Sequence, residues 1–588
     1  MNDFNPSSPA SRPLSRVYLL SLLVIFTAVW FSNLEYRKLT RPDEGRYAEI
    51  AREMALSGDW VTPRLNDLKY FEKPPLQYWA TAAAFRIFGE HHWTARGWPA
   101  TTTFACVLLI FWTVRRLFGD EDIALSAAAT LGGCSGFVVN SHINTLDAGL
   151  AAFLTLALLS FLWAQRPGAT PQENRNGMLA VWAAMALATL SKGLIGAVLP
   201  GAVLVLYILM ERDWRRLTRL HLGKGLALFL LITAPWFIAV SLTNEEFARF
   251  FFIHEHFDRF LTPAHRREGA WWYFVPLLLF GTMPWLPFIA IRLRAGWRRT
   301  DSPFLLAGEE PGARAETEVS KEPGGKPLQP QRLLLIWAGF IFLFFSASHS
   351  KLASYILPVF PALALFAAVE MQRMAPEILS RIAWIMAAAG GVLLLALLLG
   401  GERLAQTFAK DSSPFEIVRD YVPWVLASVA AFTSGAGAAA GLFRIQARST
   451  AIVVLAFGSL TAGILAMNGH DTQSRLSSTY HLVRQIEAQH GPLDRNLPFY
   501  SLQMHDQTLP FYLKRPVTLV QYTGEFGLGL DAEPAKGIAR VEDWKLRWMG
   551  LDQGYAIMHP DDYSRFAAEN LPMRVLGRDP RRVIVSRQ

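Results

Sequence analysis

A polytopic α-helical membrane protein, with a C-terminal α/β domain on the outer side, is the fold class this sequence predicts. Three observations carry that expectation. Of the 588 residues, 52% are hydrophobic, 12% aromatic and only 18% charged, with mean hydropathy +0.22. Apolar stretches near the ~20 residues that cross a bilayer as a helix recur through the first four-fifths of the chain. Arginines and lysines gather in alternate short loops between those stretches, the pattern by which membrane proteins fix orientation. The modest mean hydropathy requires a large polar part beside the spans. Composition of this kind excludes a secreted enzyme, a cytosolic enzyme and a disordered scaffold.

The apolar runs number about thirteen. They cover 17–36, 98–114, 123–139, 146–164, 178–190, 193–210, 225–243, 271–291, 333–347, 352–371, 382–400, 422–443 and 451–468. The first follows Arg12 and Arg16 and has no small-residue cleavage site after it, so it reads as a retained signal anchor with the N-terminus inside. Loops then assigned inside hold Arg115 and Arg116; Arg166 and Arg175; Arg212, Arg215, Arg216, Arg219 and Lys224. Further along they hold Arg292, Arg294, Arg298 and Arg299; Arg373 and Arg381; Arg444 and Arg448. Short outside loops carry Lys192 alone or Lys351 alone. The net charge of +9 is therefore spread by topology and not collected into a nucleic-acid patch. Cys106 and Cys134 both lie in apolar runs, which leaves no disulfide framework and no cysteine metal site.

The membrane part is expected over 1–469 and an outside domain over 470–588. In the latter, β-like runs (497–502, 516–522, 581–586) alternate with helical ones (479–489, 560–570) and show no catalytic constellation. Residues 38–97 form a long, amphipathic outside loop, and 300–330, rich in Gly, Pro and charge, a flexible inside loop. No internal repeat is evident, which weakens a transporter of inverted halves.

Chemistry concentrates on the outside. Asp43 and Arg46 sit one helical turn apart at the start of the first loop, where an ion pair can orient a carboxylate. The plainer alternative, favoured for the pair taken alone, is that Asp43 caps the helix. Glu72 and Lys73 precede two prolines that fix an extended segment or turn. An acid and a base aimed by a rigid turn compete evenly there with a surface charge pair. Asp147 begins the fourth span, where a carboxylate marks a functional site unless it too is a cap. Lys192 fills a short turn and either snorkels or points into a cavity. Arg259 lies in a loop with His254, Glu255, His256 and His265, a mixture that suits zinc. The spacing is weaker than H-E-x-x-H, so surface histidines are the stronger reading of that loop in isolation. Lys351 and Tyr355 open another span. Six of these groups fall on one side of the membrane, as an anionic, lipid-linked substrate requires: cations neutralise phosphate and a carboxylate positions the attacking oxygen.

Together, RPDEGRYAEIAREMALSGDW…YFEKPP, NTLDAG, SKG, FFIHEHFDRF and SKLASYILPVFP resemble the lipid-carrier-dependent glycosyltransferases of the protein-mannosyltransferase superfamily. Within it they look closest to the bacterial 4-amino-4-deoxy-L-arabinose transferases of lipid A. The resemblance covers about 15–470 and implies a GT-C fold with juxtamembrane helices on the first periplasmic loop. It implies inverting transfer from undecaprenyl phosphate to lipid A phosphates at the periplasmic face of the inner membrane, giving resistance to polymyxin and cationic peptides. By motif position, Asp43, Asp147 and Arg46 match catalytic residues, and Lys73, Lys192 and Arg259 match the cations on the carrier phosphate. Lys351 and Tyr355 match the substrate pocket less closely. Glu72, His254 and His256 fall where a divalent metal such as zinc, structural in role, is expected. No organic cofactor and no nucleic acid are implied, and a monomer is. The loop 300–330 departs from the family pattern. Two other readings stay open: the same fold with another polyprenyl-phosphate sugar and a protein or glycan hydroxyl as acceptor, and a lipid or sugar transporter.

Overall fold

The structure, a computed structural model, describes residues 15–258, 269–296, 326, 328–410 and 413–587, with the side chains of 256–258 and 292–296 outside the description. Every predicted apolar run falls on a helix or a broken pair of helices. In chain order these are α1 (Arg16–Phe31), then α2 (Asp43–Ser57) and α3 (Leu76–Phe88) in the first loop, and α4 (His92–Phe118), α5 (Glu121–Gly132), α6 (Ser135–Ser141) and α7 (Leu146–Ala164). There follow α8 (Pro171–Lys192), α9 (Ile195–Glu211), α10 (Leu222–Thr243), α11 (Phe274–Gly281), α12 (Leu286–Gly296) and α13 (Pro330–Ala347). The last four are α14 (Phe360–Arg373), α15 (Pro376–Phe408), α16 (Phe415–Arg444) and α17 (Arg448–Gly469). Among the described residues eight helices are long and apolar enough to cross a membrane, or nine with the bent α5–α6 pair; α1 and α9 are apolar but shorter.

Several boundaries differ from the sequence expectation, each for a local reason. The first run stops at Phe31 instead of 36, because the chain turns there into the outside loop. The run 123–139 is not one helix: α5 and α6 meet at 62° across Gly133 and Cys134. At Gly133 the chain passes close to α17, and an added Cβ there would lie 2.6 Å from the Ala456 Cα. The run 271–291 divides into α11 and α12 ahead of Pro284, whose missing amide N–H interrupts helical hydrogen bonding. The run 352–371 opens as a 3-10 turn, Ala353–Val359, before α14. Further along, Gly435 and Gly458 let α16 and α17 touch backbone to backbone, since a Cβ on Gly435 would sit 2.8 Å from the Gly458 Cα. Small residues at such crossings give membrane helices their packing contact.

Between α1 and α4 the outside loop is ordered as α2, a two-stranded hairpin of β1 (Arg64–Leu65) and β2 (Leu68–Lys69), and α3. The C-terminal part is a six-stranded mixed sheet flanked by helices, including Tyr480–His490, Val541–Met549 and Pro560–Ala568. Its strands are β3 (Phe499–Leu502), β4 (Thr518–Val520), β5 (Gly537–Ile538), β6 (Gly554–Met558), β7 (Arg574–Arg578) and β8 (Val583–Arg587), in the order β5-β4-β3-β6-β8-β7. Parallel pairing joins β5 through β6, and β8 and β7 add antiparallel. This domain sits on the first loop. Asn66 exchanges two hydrogen bonds with the Val517 backbone, at 2.7 Å each, and Glu533 pairs with Arg64 at 3.0 Å. Lys514 pairs with Glu90 at 2.7 Å.

Candidate active site

The first turn of α2 carries the first cluster. Asp43 is the first helical residue; the cap position belongs to Pro42, and no side chain caps the helix. The capping alternative therefore fails for Asp43. Its Oδ1 instead accepts from Arg46 Nη1 at 3.1 Å, with the carboxylate 28% exposed. Arg46 in turn forms an ion pair with Glu525 of the C-terminal domain, Nη2 to Oε2, while its Nε finds no hydrogen-bond partner. Around this pair lie the buried phenols of Tyr47, Tyr70 and Tyr78. The Tyr70 and Tyr78 hydroxyls are buried without a partner. Burial first, then the nearby Glu72 carboxylate, holds both well above the ordinary phenol range, so both remain protonated. Burial also pushes the Glu525 carboxyl up, against the pull of Arg46.

A second cluster forms where α7, α8 and the 3-10 turn Ala353–Val359 meet. Asp147 is likewise not a cap, since Thr145 holds that position. Its Oδ1 accepts from Lys192 Nζ and its Oδ2 accepts from Ser354 Oγ at 2.9 Å. The Lys192 ammonium lies 4.5 Å from the centre of the Tyr355 ring. Asp147, Lys192 and Tyr355, singled out separately in the sequence, are thus one constellation. Lys73 belongs to a third contact, donating to the Glu72 carbonyl at 2.6 Å and to Glu255 Oε2 at 2.8 Å. That bond ties the first loop to the π-helical segment Arg249–Asp258. Packing joins the three sets: Leu146 lies in one apolar cluster with Tyr47 and Tyr78, and Leu190 in another with Phe71. Lys351 is placed differently. Its ammonium donates to the Ser346 and Ser348 carbonyls at 2.8 and 2.9 Å, where it closes the C-terminus of α13.

Comparison with known proteins sets this geometry in a family. Residues 15–254 match the family described as dolichyl-phosphate-mannose-protein mannosyltransferase, and 482–587 match the aminoarabinose transferase C-terminal domain. The crystal structure of ArnT from Cupriavidus metallidurans bound to undecaprenyl phosphate superposes with TM-score 0.87 at 36% identity, covering 98% of this chain and 99% of that one. The chain belongs to the ArnT family. Undecaprenyl phosphate-alpha-4-amino-4-deoxy-L-arabinose arabinosyl transferases are similar to it as well. The Pseudomonas paraeruginosa protein is 29% identical over 90% of each chain. That of Edwardsiella ictaluri is 31% identical over 61% of this chain and 60% of its own length. The chain thus spans about three-fifths of the first curated relatives it matches. The ArnT match also gives the membrane part its GT-C fold.

Against this ArnT-family frame, Arg259 and the His256 side chain lie outside the described residues. His254 packs its ring 5.3 Å from Phe250. Among the described residues no three His, Cys, Asp or Glu side chains converge to hold a metal, so Glu72 and His254 make no ligand set by themselves. Sequence reasoning placed Glu255 among the histidines of its loop without reaching its bond to Lys73, and it missed Ser354, Glu525 and the unpartnered tyrosines. Ser354 and Glu525 are contact partners from distant segments, and no local pattern marks them. It also missed Glu44, immediately beside Asp43. Burial would raise this carboxyl, but the charge and hydrogen bonds of Arg96, with Arg37 and the Asn144 amide, outweigh it and hold it at about 2.

His505, in the C-terminal domain, carries a pH prediction. Both ring nitrogens are buried without a partner, and the ring packs 4.7 Å from Phe526 and 6.3 Å from Tyr522. Burial lowers its pKa to about 4, helped by Arg46 and opposed by Asp506. The unfolded chain takes up the proton near 6.5, whereas the folded chain refuses it until about 4. Stability must therefore fall as pH drops through that window, by on the order of 2–3 kcal/mol. The raised Glu525 carboxyl acts in the opposite sense, so the comparison is of variants that retain it. Thermal unfolding of the wild type should weaken toward pH 4, and His505→Phe should flatten that dependence.

Proposed function

We propose that this protein transfers 4-amino-4-deoxy-L-arabinose from undecaprenyl phosphate to lipid A phosphates, with inversion, at the periplasmic face of the bacterial inner membrane. One observation carries the reading: a chain that holds the charged pairs Asp43–Arg46, Lys73–Glu255 and Asp147–Lys192 is similar throughout its length to a transferase structure holding undecaprenyl phosphate. The ammonium groups are positioned before any substrate arrives. Each lysine has three N–H donors. Lys73 commits two, to Glu72 and Glu255, and Lys192 commits one, to Asp147. The remaining donors suit the phosphate oxygens on which charge grows as the carrier leaves. Their acid partners hold the lysines in place, so little reorganisation accompanies the reaction.

On the other side of the sugar, Asp43 orients the acceptor or takes its proton. A lipid A phosphate is already ionised near neutral pH, so it needs orientation more than a strong base; Arg46 offsets the charge that Asp43 would otherwise turn against it. The unpartnered Tyr70 and Tyr78 hydroxyls, with Glu525, suit a sugar bearing hydroxyls and a cationic amine. The protein acts as a monomer in this reading. The test is mass spectrometry of lipid A from cells lacking their own transferase, with the donor present. Expression of the protein should add the aminoarabinose increment. Unmodified lipid A with a modified glycoprotein or glycan would move the reading to a hydroxyl acceptor.

A further inference from the structure

The end of the helix bundle opposite Asp43 holds a feature that glycosyl transfer does not use. A cavity of 370 Å³ opens among the ends of α1, α5, α14, α15 and α17, lined by Tyr18, Asp122, Gln372, Arg448, Ser449 and Thr450 among others. It contains two polar atoms that are buried without a partner, the Tyr18 hydroxyl and Arg448 Nε. The other guanidinium nitrogens of Arg448 are bound to the Gln372 and Met374 carbonyls, which fixes the group in place. Next to this cavity, on the same helices, runs an apolar groove of 210 Å³. It is lined from α1 by Leu19 and Leu22, from α5 by Leu125 and Ala128, and from α17 by Val453 and Phe457. Tyr18, Asp122 and Thr450 thus each lie about one helical turn from an apolar residue of the groove. Leu20, Leu23 and Leu108, exposed side chains on α1 and α4, also line it, so the groove opens sideways toward lipid.

We propose that this paired cavity and groove binds one phospholipid whose headgroup carries both a phosphate and a primary ammonium, as phosphatidylethanolamine does. The charges are complementary to such a zwitterion. At the phosphate end stand the fixed Arg448 guanidinium, the Ser449 and Thr450 hydroxyls, and the free amides of the first turn of α17. At the other end stands the Asp122 carboxylate, a partner for the ammonium that a purely anionic headgroup lacks. Tyr18 supplies one further donor or acceptor at the headgroup. An acyl chain continues into the groove, in the leaflet opposite the candidate active site. An anionic lipid would place its charge against Asp122, and a trimethylated ammonium has no N–H to donate to it.

Native mass spectrometry of the full-length protein tests the proposal after exchange into mixed micelles of phosphatidylethanolamine, phosphatidylglycerol and phosphatidylcholine. Wild type should retain a single phosphatidylethanolamine about fivefold over either competitor. Asp122→Asn should lose that preference and shift toward phosphatidylglycerol. Thr450→Trp, which fills the cavity, should lose the retained lipid. Neither residue is near the transfer site, and the aminoarabinose increment on lipid A confirms that each variant is folded. Equal retention of the three lipids, no retained lipid in wild type, or a preference that survives Asp122→Asn would each overturn the assignment.

Discussion

Asp43→Asn should lower the rate of sugar transfer by about two to three orders of magnitude, while the protein accumulates and unfolds as the wild type does. The two halves of that expectation come from different features of the site. Stability changes little because the carboxylate is partly exposed and makes a single i,i+3 contact with Arg46, a pair worth a few tenths of a kcal/mol, about 0.3–0.5. Asn is also as good a residue as Asp at a helix start, so any local role in beginning α2 survives the change. Activity changes greatly because the charge is what the position supplies. Without it Arg46 stands beside Glu525, and the acceptor loses a partly exposed carboxylate that pairs with Arg46. The measurement is turnover with purified donor and lipid A in detergent, beside a melting curve of the same sample. Normal turnover by Asp43→Asn would remove the aspartate from the mechanism. A lowered melting midpoint would instead give it the structural role that the geometry of Pro42 and Asp43 denies.

Such a separation was only partly legible in the sequence. Apolar runs and alternating positive charge are dictated by the bilayer, which acts on every span independently, so they identified the helices and put Asp43, Lys73, Asp147, Lys192 and Lys351 on one side. Interruptions such as Gly133 were less legible, because they answer to the helix that passes there; the Ala456 backbone sets that close approach. Pairings were not legible at all. Lys192 and Asp147 are 45 residues apart, and Lys73 and Glu255 are 182 apart. Arg46 finds its second acid in the C-terminal domain, where Glu525 looks in sequence like any solvated surface charge. The β-like runs of that domain were visible by their composition, and β3, β4 and β8 lie on them. Its part in closing the first loop needs coordinates, since nothing within a strand records what the far end of a neighbouring helix touches. The same limit applies to Lys351, whose motif suggested a pocket and whose ammonium also donates to the Ser346 and Ser348 carbonyls, a contact its sequence does not announce.

Arg96 is the position at which substitution should do the most damage to the fold. Its side chain is 0% exposed, and all five of its N–H donors are used. Nε and Nη2 bind the two Glu44 oxygens at 2.7 and 2.9 Å, Nη1 binds the Leu34 and Arg37 carbonyls at 2.9 and 2.6 Å, and Nη2 also binds the Lys38 carbonyl at 3.0 Å. One guanidinium thereby fastens the chain leaving α1 to the start of α2, one residue from Asp43. Arg96→Met leaves the Glu44 carboxylate buried beside Arg37 alone and three carbonyls unmet, and should cost about 3–5 kcal/mol. Arg96→Lys should not rescue it. A lysine has three donors for five acceptors and cannot hold a carboxylate in a fork. The double variant Glu44→Gln/Arg96→Met should recover part of the loss, because it no longer buries an uncompensated carboxylate. Heating detergent-solubilised protein and following its gel-filtration peak reads all three. The order expected is wild type, then the double variant, then Arg96→Lys and Arg96→Met. If Arg96→Met melted with the wild type, the anchoring of Asp43 through Glu44 would have to be abandoned. Transfer activity should fall in the same order even in the fraction that stays folded, since the segment these bonds fix is the one that aims Asp43.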